Sequence, residues 1–434
     1  MCRRAGRMAA SFPAISSRSD DRTAPVSGGE SRKIAPQPWM TAPQTRAVIA
    51  ALAKTGIAAR FVGGCVRDAL LENTIADIDI ATPARPEAVI AALEKAGIKP
   101  VPTGIEHGTI TAVVSKPEPP RHFEITTLRR DVETDGRRAR VAFYADWAED
   151  AARRDFTINA IYLDPDGTLH DPVGGIADLE AHRVRFVGEA PQRIAEDVLR
   201  VLRYYRFEAR FGSSSGDAAA RAACRAAVPL LANLSAERVS QELLRLLAVP
   251  DPVPALRMMA EDGVLAAILP EATRLDRLQQ LIAIEPEPDV LRRLAALITV
   301  DRDGAVALAE RLRLSNEQRD RLAGLAPPCP IDPGGDARAR RLALYRLGAA
   351  RYRDLALLLG ANGRLGENRL RELLALAAAW QPPAFPVKGR DVTALGVPSG
   401  KRVGELLAAV RKWWEEGDFN ADRAACLKRL KEMI

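Results

Sequence analysis

The sequence predicts an α+β fold, in which an N-terminal head with a mixed β-sheet is followed by an all-helical half. From about Trp39 to about Val187, short runs rich in β-branched residues alternate with helical runs. Beyond Pro191 the composition changes to Ala, Leu and Arg at spacings of three and four, and β-branched runs nearly vanish. The chain is also longer than one hydrophobic core usually organises, so we expect more than one domain.

Four segments of the first half have the length and the β-branched content of strands. They are residues 60–62, 78–81, 109–114 and 122–127. The first of these ends in two glycines and leads into a short helical run over residues 66–71. Clusters of Pro and Gly near residues 250, 330 and 383 divide the helical half into smaller units.

The composition limits the class of protein and of partner. Lys and Arg number 63 against 56 acidic residues, and this net charge of +7 suits a polyanionic partner without requiring one. No apolar run reaches the length of a membrane-spanning helix, so we expect a cytoplasmic protein without a membrane partner. The cysteines are far apart and form no CxxC pair, which favours free buried thiols over a zinc site or disulfides (Cys2, Cys65, Cys224, Cys329 and Cys426).

Two glycines, Gly63 and Gly64, stand between the first strand and the following helix. Glycine lets the backbone approach a phosphate closely, and the N–H groups at the start of a helix then point at it. Arg67, one turn into that helix, can place its guanidinium against the same phosphate group, as in a bound triphosphate. The segment predicts a phosphate-binding turn, although taken alone it is equally compatible with a simple bend of the chain.

Two aspartates, Asp77 and Asp79, lie one residue apart in a predicted strand, so both side chains project from one face. Neighbouring carboxylates repel unless a cation lies between them, and Mg²⁺ prefers such oxygen ligands. A pair of these ions about 3.5–4 Å apart can hold the attacking hydroxyl and the leaving group of a phosphoryl transfer in line. Glu124 is the candidate third carboxylate, for the metal or for deprotonating the hydroxyl; a surface Glu on an edge strand is the alternative.

These motifs resemble the signature of the tRNA nucleotidyltransferase and poly(A) polymerase family, in its bacterial and eukaryotic class. The resemblance rests on Gly-Gly-Cys-Val-Arg-Asp at residues 63–68 and Asp-Ile-Asp-Ile-Ala-Thr at residues 77–82. It extends to Arg-Arg-Asp-Phe-Thr-Ile-Asn-Ala (153–160), His-Asp-Pro-Val-Gly-Gly (170–175) and Glu-Asp-Val-Leu-Arg (196–200). It implies a polymerase-β-type nucleotidyltransferase head followed by a helical neck, body and tail.

The resemblance also implies a role for each motif residue. Asp77 and Asp79 would hold Mg²⁺, and Asp155 would help to read the ribose 2′-hydroxyl. Asp197 and Arg200 would read the base. The full set of expected nucleotide-binding residues is Gly63, Gly64, Arg67, Arg154, Asp155, Asn159, Asp197, Arg200, Arg203 and Arg206. The expected domains are a disordered leader (1–36), the head (37–187), the neck (188–250), the body (251–330) and the tail (331–434).

The segment expected to read the base also carries a chemical argument of its own. Four apolar residues at helical spacing predict one continuous helix here: Ile194, Val198, Val201 and Tyr205. Asp197, Arg200 and Arg203 would then share a neighbouring face. A carboxylate and a guanidinium match the amino donor and ring acceptor of cytosine or adenine, whereas guanine and uracil present the reverse order. Taken alone, the helix is also compatible with a row of exposed salt bridges.

Three further segments carry expectations. The charged, glycine-containing residues 129–138 predict a mobile loop beside the site, where the resembled family has a loop associated with the switch from C to A addition. Trp413 and Trp414 predict a packing anchor. Arginines of the helical half predict a surface that grips tRNA phosphates, with solvated helix faces as the alternative (Arg338, Arg340, Arg341, Arg346, Arg351 and Arg353).

The activity that the resemblance implies is template-independent addition and repair of the 3′-terminal CCA of tRNA. CTP and ATP would be the substrates, pyrophosphate would leave, and no DNA partner is expected. Poly(A) polymerase is the nearest competing activity, although the Arg-Arg-Phe-x-Leu-x-His-Val run of its bacterial members is missing. The motifs are also compatible with an enzyme that adds only CC or only A, and with an RNA-binding module whose head is inactive.

Overall fold

The structure is a computed structural model that describes residues 32–434 apart from 136, 137, 144, 145 and 214. Over this part of the chain the α+β head and the all-helical half occur as the sequence predicted. The strands are β1 (Arg60–Val62), β2 (Ile78–Thr82), β3 (Lys99–Gly104), β4 (Thr109–Val114), β5 (Arg121–Thr127), β6 (Arg129–Asp135), β7 (Arg138–Phe143), β8 (Tyr162–Leu163) and β9 (Leu169–His170).

Seven of the described strands form one mixed sheet in the order β3-β4-β5-β2-β1-β8-β9. The β2–β5 pair is parallel, and the other pairs of the sheet are antiparallel. The helices of the head are α1 (Pro38–Thr41), α2 (Pro43–Ala53), α3 (Gly64–Leu70), α4 (Pro86–Lys95), α5 (Trp147–Ala152) and α6 (Gly175–Glu180). Alternate residues of β4 are buried against this layer, because successive side chains of a strand face opposite sides.

All four predicted strands occur at their predicted positions, but the described part of the chain contains five further strands that were not predicted. The edge strand β3 contains Pro100 and Pro102, which weaken a strand signal and are tolerated where no neighbour needs the N–H. The expectation of a loop over residues 129–138 is wrong for the described residues, because β6 and β7 pair there as an antiparallel hairpin. Residues 136 and 137 lie outside the described part of the chain. High charge in this segment concealed its strand character.

The expected leader over residues 1–36 differs from the structure at its end. Lys33 forms a β-bridge with Thr168, and the N–H of Ile34 donates to the carbonyl of Gly167 at 2.9 Å. Residues 32–34 therefore pack on the head. Residues 1–31 lie outside the described part of the chain.

The helical half begins after β9 and α6. Its helices are α7 (Ala190–Glu196), α8 (Arg200–Phe211), α9 (Ala218–Ala226), α10 (Ala236–Leu247), α11 (Val253–Glu261), α12 (Val264–Ile268), α13 (Leu275–Ile284), α14 (Val290–Leu297), α15 (Arg302–Arg311), α16 (Asn316–Leu325), α17 (Ala337–Leu347), α18 (Ala349–Ala361), α19 (Glu367–Ala378), α20 (Gly389–Thr393), α21 (Lys401–Glu416) and α22 (Arg423–Lys431). Within residues 32–434, gaps excepted, none of the helices has the length and apolar character needed to cross a membrane.

The expected continuous helix from Ile194 to Tyr205 is wrong. Helix α7 ends at Glu196, Asp197 adopts an extended conformation (φ −153°, ψ 106°), and α8 begins at Arg200. The Asp197 carboxylate accepts a hydrogen bond from the N–H of Leu199 at 3.1 Å. A short Asp side chain competes for backbone N–H groups in this way and interrupts a helix.

A buried aromatic cluster fixes α8 against the head. Phe156 of the head lies 4.9 Å from Phe207 and Phe186 lies 5.8 Å from Tyr204, measured between ring centroids. Ring pairs at such distances contribute about 0.5–1.5 kcal/mol each beyond the area that they bury. The segment expected to read the base is thus held beside the sheet.

The last helices have a hydrophobic core of their own, centred on Trp414. Trp414 is buried and packs edge-on against Tyr345 and Phe385, and Trp413 is partly buried beside it, so the predicted packing anchor is confirmed. The expectation of free buried thiols is also confirmed for Cys65, Cys224 and Cys426, whereas Cys329 is only half-buried. Cys2 lies outside the described residues.

Most arginines that were expected to grip RNA phosphates have intramolecular partners. Arg341 pairs with Asp418, and Arg346 pairs with Glu415 at 2.7 Å. Arg340 contacts Glu372, and Arg351 donates to the carbonyl of Gly324. These contacts hold helices of the helical half together and leave fewer guanidinium groups for RNA than the sequence suggested.

Candidate active site

The glycine turn between β1 and α3 lies directly beside one of the predicted carboxylates. Gly63 has a φ of +74°, a conformation that residues with a Cβ rarely adopt. A Cβ at this position would lie 3.7 Å from Asp79 Oδ2 and 3.6 Å from Arg154 Nη1. The turn, a carboxylate and a guanidinium therefore surround one small volume.

The carboxylates lie at the middle of the sheet. Asp79 is on β2 between buried Ile78 and Ile80, so its side chain faces away from that core. Because β2 and β5 run parallel, Asp79 is in register with Glu124. Strand β5 lies between β4 and β2, which excludes the edge-strand alternative for Glu124. Asp77 precedes β2 and is exposed.

The pKa of Asp79 lies well above that of an ordinary Asp. Burial raises it to about 6, and the charges of Glu124 and Asp77 act in the same direction, against the opposing effect of Arg154. A carboxyl group in this state would ionise more readily beside a cation. The site is thus electrostatically prepared for a positive partner.

The carboxylates of the site fit a Mg²⁺ ion whose other ligands are water and substrate phosphates. Within the described residues no group of three or more His, Cys, Asp and Glu side chains is placed to hold a metal ion. Glu124 therefore does not complete a three-ligand cage with Asp77 and Asp79. Mg²⁺ is commonly bound by one or two carboxylates together with water and substrate phosphates, and the Asp77–Asp79 pair matches that arrangement.

Arg67 is committed to contacts within the protein. Its side chain is almost fully buried, and it donates to Asp68 Oδ1 at 3.1 Å and to Asn159 Oδ1 at 2.5 Å. Its guanidinium also lies 4.1 Å from the ring centroid of Phe211. Burial lowers the pKa of Arg67, against the effect of Asp68. Arg67 thus links α3 to α8. The expected contact of Gly64 and Arg67 with a triphosphate stays a prediction.

A buried carboxylate that the sequence analysis missed positions Arg154. Asp150 on α5 accepts hydrogen bonds from Arg153 Nε at 2.8 Å, from Arg154 Nη2 at 3.0 Å and from the hydroxyl of Tyr162 at 2.7 Å. Burial alone would raise the pKa of Asp150, but the two arginines outweigh it and lower the pKa. The i,i+3 and i,i+4 spacing of Asp150 to the two arginines is the signal that could have revealed this pair.

Three of the expected nucleotide-binding residues form a connected network. Asp155 accepts from the amide of Asn159 at 3.0 Å and from Arg203 Nε at 3.0 Å. Burial opposes ionisation, yet the charge of Arg203 and these hydrogen bonds hold the pKa of Asp155 down at about 2. Asp155 is therefore an ionised acceptor, and Arg203 links it to α8. The structure brings together Asp155, Asn159 and Arg203, while their contact with a nucleotide stays a prediction.

The two expected base readers, by contrast, have separate partners. Asp197 Oδ2 accepts from Arg238 Nη2 at 2.6 Å. Arg200 Nη1 donates to Glu196 Oε2 at 2.6 Å and to the carbonyl of Arg193 at 2.7 Å. The two side chains are therefore near one another in sequence, but the structure does not join them as one donor–acceptor pair.

The comparisons with known proteins agree with this geometry. Residues 59–185 match the family model described as "Poly A polymerase head domain", and residues 217–275 match "Probable RNA and SrmB- binding site of polymerase A". The CCA tRNA nucleotidyltransferase 1, mitochondrial, of Mus musculus is 35% identical over 392 residues, which are 86% of each chain. The chain belongs to the tRNA nucleotidyltransferase and poly(A) polymerase family.

Two further relatives support this assignment. A CCA-adding enzyme of Geobacillus stearothermophilus is 41% identical over 225 residues, which are 51% of this chain and 53% of that protein. The crystal structure of the Bacillus stearothermophilus CCA-adding enzyme in complex with CTP superimposes with a TM-score of 0.74 at 30% identity, covering 89% of this chain and 95% of that one. As a member of this family the chain is a nucleotidyltransferase, and the predicted fold class is confirmed.

A cleft of about 940 Å³ opens beside the exposed carboxylate. Asp77 and Asn73 line it on the head side, and three arginines with one carboxylate line it on the helical side: Arg206, Arg210, Arg245 and Asp251. Cationic walls opposite a carboxylate suit a polyanion that brings its own metal ion. Arg206 is one of the expected nucleotide-binding residues, whereas Arg210 and Arg245 were not predicted.

The buried carboxylate of Glu242 organises this arginine wall. It accepts from Arg206 Nε at 2.6 Å and from Arg245 Nη1 at 3.4 Å, and it lies 4.0 Å from Arg203 Nη1. Glu242 on α10 is 36 residues from Arg206 on α8, so only the packing of the two helices brings them together. No local sequence pattern pointed to it.

Proposed function

We propose that this enzyme adds and repairs the 3′-terminal CCA of tRNA, using CTP and ATP and releasing pyrophosphate. The observation that carries the proposal is the volume shared by the Gly63 turn, the Asp79 carboxylate and the Arg154 guanidinium, next to a cationic cleft. The relatives that align over most of the chain are named CCA tRNA nucleotidyltransferases, which supports tRNA as the substrate.

In the proposed mechanism the residues of the chain bind and orient the reacting groups. The turn at Gly63 and Gly64 accommodates the triphosphate, and Arg154, held by Asp150, places positive charge beside it. Asp155 is kept ionised by Arg203 and accepts a hydrogen bond from the ribose. A bound Mg²⁺ at Asp77 and Asp79 would stabilise the charge that develops on the transferred phosphoryl group.

The terminal hydroxyl of the tRNA attacks the α-phosphate, and pyrophosphate leaves. The cleft lined by Arg206, Arg210 and Arg245 offers counter-charge to both polyanions. Glu124, in register with Asp79 and exposed, is the carboxylate proposed to accept the proton of the attacking hydroxyl. The product is a tRNA that is longer by one nucleotide.

Base selection is proposed to use Asp197 and Arg200. Reading a base requires Asp197 to exchange Arg238, and Arg200 to exchange Glu196, for the edge of cytosine or adenine. Guanine or uracil would leave both groups unpaired at about 1–3 kcal/mol each. Because Asp197 lies between two helices rather than inside one, turning its side chain breaks its hydrogen bond from the N–H of Leu199 but leaves the backbone hydrogen bonds of both helices intact.

A direct experiment supplies each nucleotide separately to a tRNA transcript that lacks its CCA end. The proposal predicts two additions from CTP alone, none from ATP alone, and completion by one A when both are present. Repeated addition of A alone would indicate a poly(A) polymerase. Addition that ends after CC, or occurs only on a transcript already ending in CC, would indicate a partial enzyme. No incorporation with Mg²⁺ would favour an inactive RNA-binding head.

The proposed location is the cytoplasm. The vertebrate relatives carry the word mitochondrial in their names, so location differs among members of the family. Fractionation of cells followed by detection of this chain tests the proposal, and enrichment in an organelle would contradict it.

A further inference from the structure

Three arginines of the helical half, Arg274, Arg277 and Arg364, surround a second cavity system away from the active site. Two adjoining cavities of about 360 and 830 Å³ share Arg274, Arg277 and Pro327 in their walls, and Arg364 lines the larger one. We refer to these three residues and the cavities as the arginine pocket. The active-site residues have no part in it.

The positive charge of the arginine pocket is not balanced by ion pairs. Within residues 32–434, gaps excepted, none of the three arginines forms a salt bridge. Arg274 Nη2 reaches only Asn362 Oδ1 at 3.4 Å, and the buried Nε of Arg277 has no hydrogen-bond partner among the described residues. A buried donor without a partner in a folded protein usually indicates a missing ligand or solvent molecule.

Two carboxylates also line the pocket, but both are engaged elsewhere. Asp301 accepts from the N–H of Gly304 at 2.8 Å, and Asp332 accepts from the N–H of Gly334 at 2.9 Å. Each therefore stabilises a turn or a helix start. Neither is among the groups that affect the pKa of Arg277.

The electrostatic state of Arg277 differs from that of the other buried arginines nearby. Burial, followed by the charges of Arg274 and Arg364, lowers the pKa of Arg277 to about 10. In contrast, Arg292 and Arg293 each pair with Glu285. Arg277 also lies in the first turn of α13, the end of a helix that attracts anions. The fold thus concentrates positive charge here without neutralising it.

We propose that the arginine pocket binds a phosphate group carried by a nucleotide or by an RNA backbone. Guanidinium groups match phosphate oxygens in bidentate geometry. The larger cavity exceeds the size of a lone phosphate, and Ile331 and Leu355 in its wall offer apolar surface to a sugar or base. The RNA source rests on the proposed function, whereas the free-nucleotide source does not.

The test compares two double variants of the full chain. Arg274→Gln/Arg364→Gln removes two exposed cations of the pocket, and folding should be preserved because both side chains reach solvent. Arg371→Gln/Arg402→Gln is the matched control, since both residues are exposed arginines of the tail outside the cavities. Arg371 contacts the amide of Asn368 much as Arg274 contacts Asn362.

One arm measures binding of a tRNA transcript lacking CCA by fluorescence anisotropy over a salt series. The pocket variant should bind about tenfold more weakly than the control, and the slope of log K against log salt should fall by about one to two. The other arm measures the thermal shift that millimolar AMP causes in the presence of EDTA. Binding of AMP at the active site is common to both variants and cancels in the comparison.

A loss confined to the tRNA arm assigns the pocket to an RNA phosphate, and a loss in the AMP arm assigns it to a nucleotide phosphate. Equal behaviour of the two variants in both arms overturns the proposal. CTP incorporation at saturating tRNA is measured in parallel with the control variant. If the control variant incorporates no CTP, the proposed function is refuted, while the two binding measurements remain valid tests of the pocket.

Discussion

Replacing Asp79 by Asn removes a carboxylate whose ionisation lowers the stability of the folded head. Its pKa stands at about 6 against 3.8 for an ordinary Asp, because it is buried and near Glu124 and Asp77. A shift of about two units corresponds to roughly 3 kcal/mol at neutral pH. Partial exposure and solvent screening reduce this to about 1–2 kcal/mol. Asp79→Asn should therefore stabilise the head by about that amount at pH 7 while abolishing nucleotide incorporation.

The pH dependence of this stabilisation follows from the direction of the shift. Below pH 4 the carboxyl group is protonated in both the folded and the unfolded chain, so Asp79→Asn should have no electrostatic effect there. Between pH 4 and pH 6 the Asp79 carboxyl group is ionised in the unfolded chain but still largely protonated in the folded chain. The stability of the variant relative to the wild type should therefore grow over this range. Above pH 6 the advantage should stay constant.

Urea unfolding in EDTA, followed from pH 4 to pH 8, measures this effect. Asp320→Asn is the control, because it makes the same chemical change on a mostly exposed side chain of α16. The control should leave both stability and incorporation unchanged. A variant that is less stable than the wild type at pH 7, or an advantage that is already complete at pH 4, would refute the assigned cost of ionising Asp79.

The remaining predictions concern the other parts of the site. Asp77→Ala should abolish incorporation while leaving the thermal midpoint within about 1–2 °C, since its side chain is exposed; a large loss of stability would contradict a purely functional role. Asp150→Ala leaves the buried charge of Arg154 unpaired and should destabilise the chain by about 3–5 kcal/mol with a raised KM for both nucleotides, as measured by urea unfolding and initial rates. Asp197→Ala should admit UTP or GTP in the single-nucleotide assay, and unchanged nucleotide choice would count against it as base reader. Arg238→Ala frees Asp197 from its ion pair and should alter the relative KM of CTP and ATP without loss of Mg²⁺-dependent chemistry; identical constants would show that the pair is only structural.

Short sequence patterns were sufficient to predict those parts of the site that are formed by residues close together in the chain. The strand containing Asp79 was predictable because β-branched neighbours flank it, and the turn at Gly63 because two glycines follow a strand. Asp79 and Gly63 are 16 positions apart, yet they lie close together because Gly63 directly follows β1, and β1 pairs with the strand β2 that carries Asp79. These features required no long-range packing information beyond the order of the motifs.

The features that were missed depend on contacts that sequence spacing does not encode. The apolar stripe from Ile194 to Tyr205 is buried or partly buried as expected, but the side-chain hydrogen bond of Asp197 interrupts the helix. Arg238 lies 41 residues from Asp197, and Glu242 lies 36 residues from Arg206. Such pairings follow from how α8 packs on α10, and no periodic pattern identifies the partner in advance.

Asp77 and Asp79 are proposed to hold a divalent cation beside the phosphate-binding glycine turn. CTP affinity measured by calorimetry with Mg²⁺ and with EDTA tests it most directly, using the wild type, Asp77→Asn and Asp79→Asn. Mg²⁺ should raise the CTP affinity of the wild type at least about tenfold, or by about 1.4 kcal/mol, and should have little effect on either variant. An equal Mg²⁺ effect in all three proteins would contradict it.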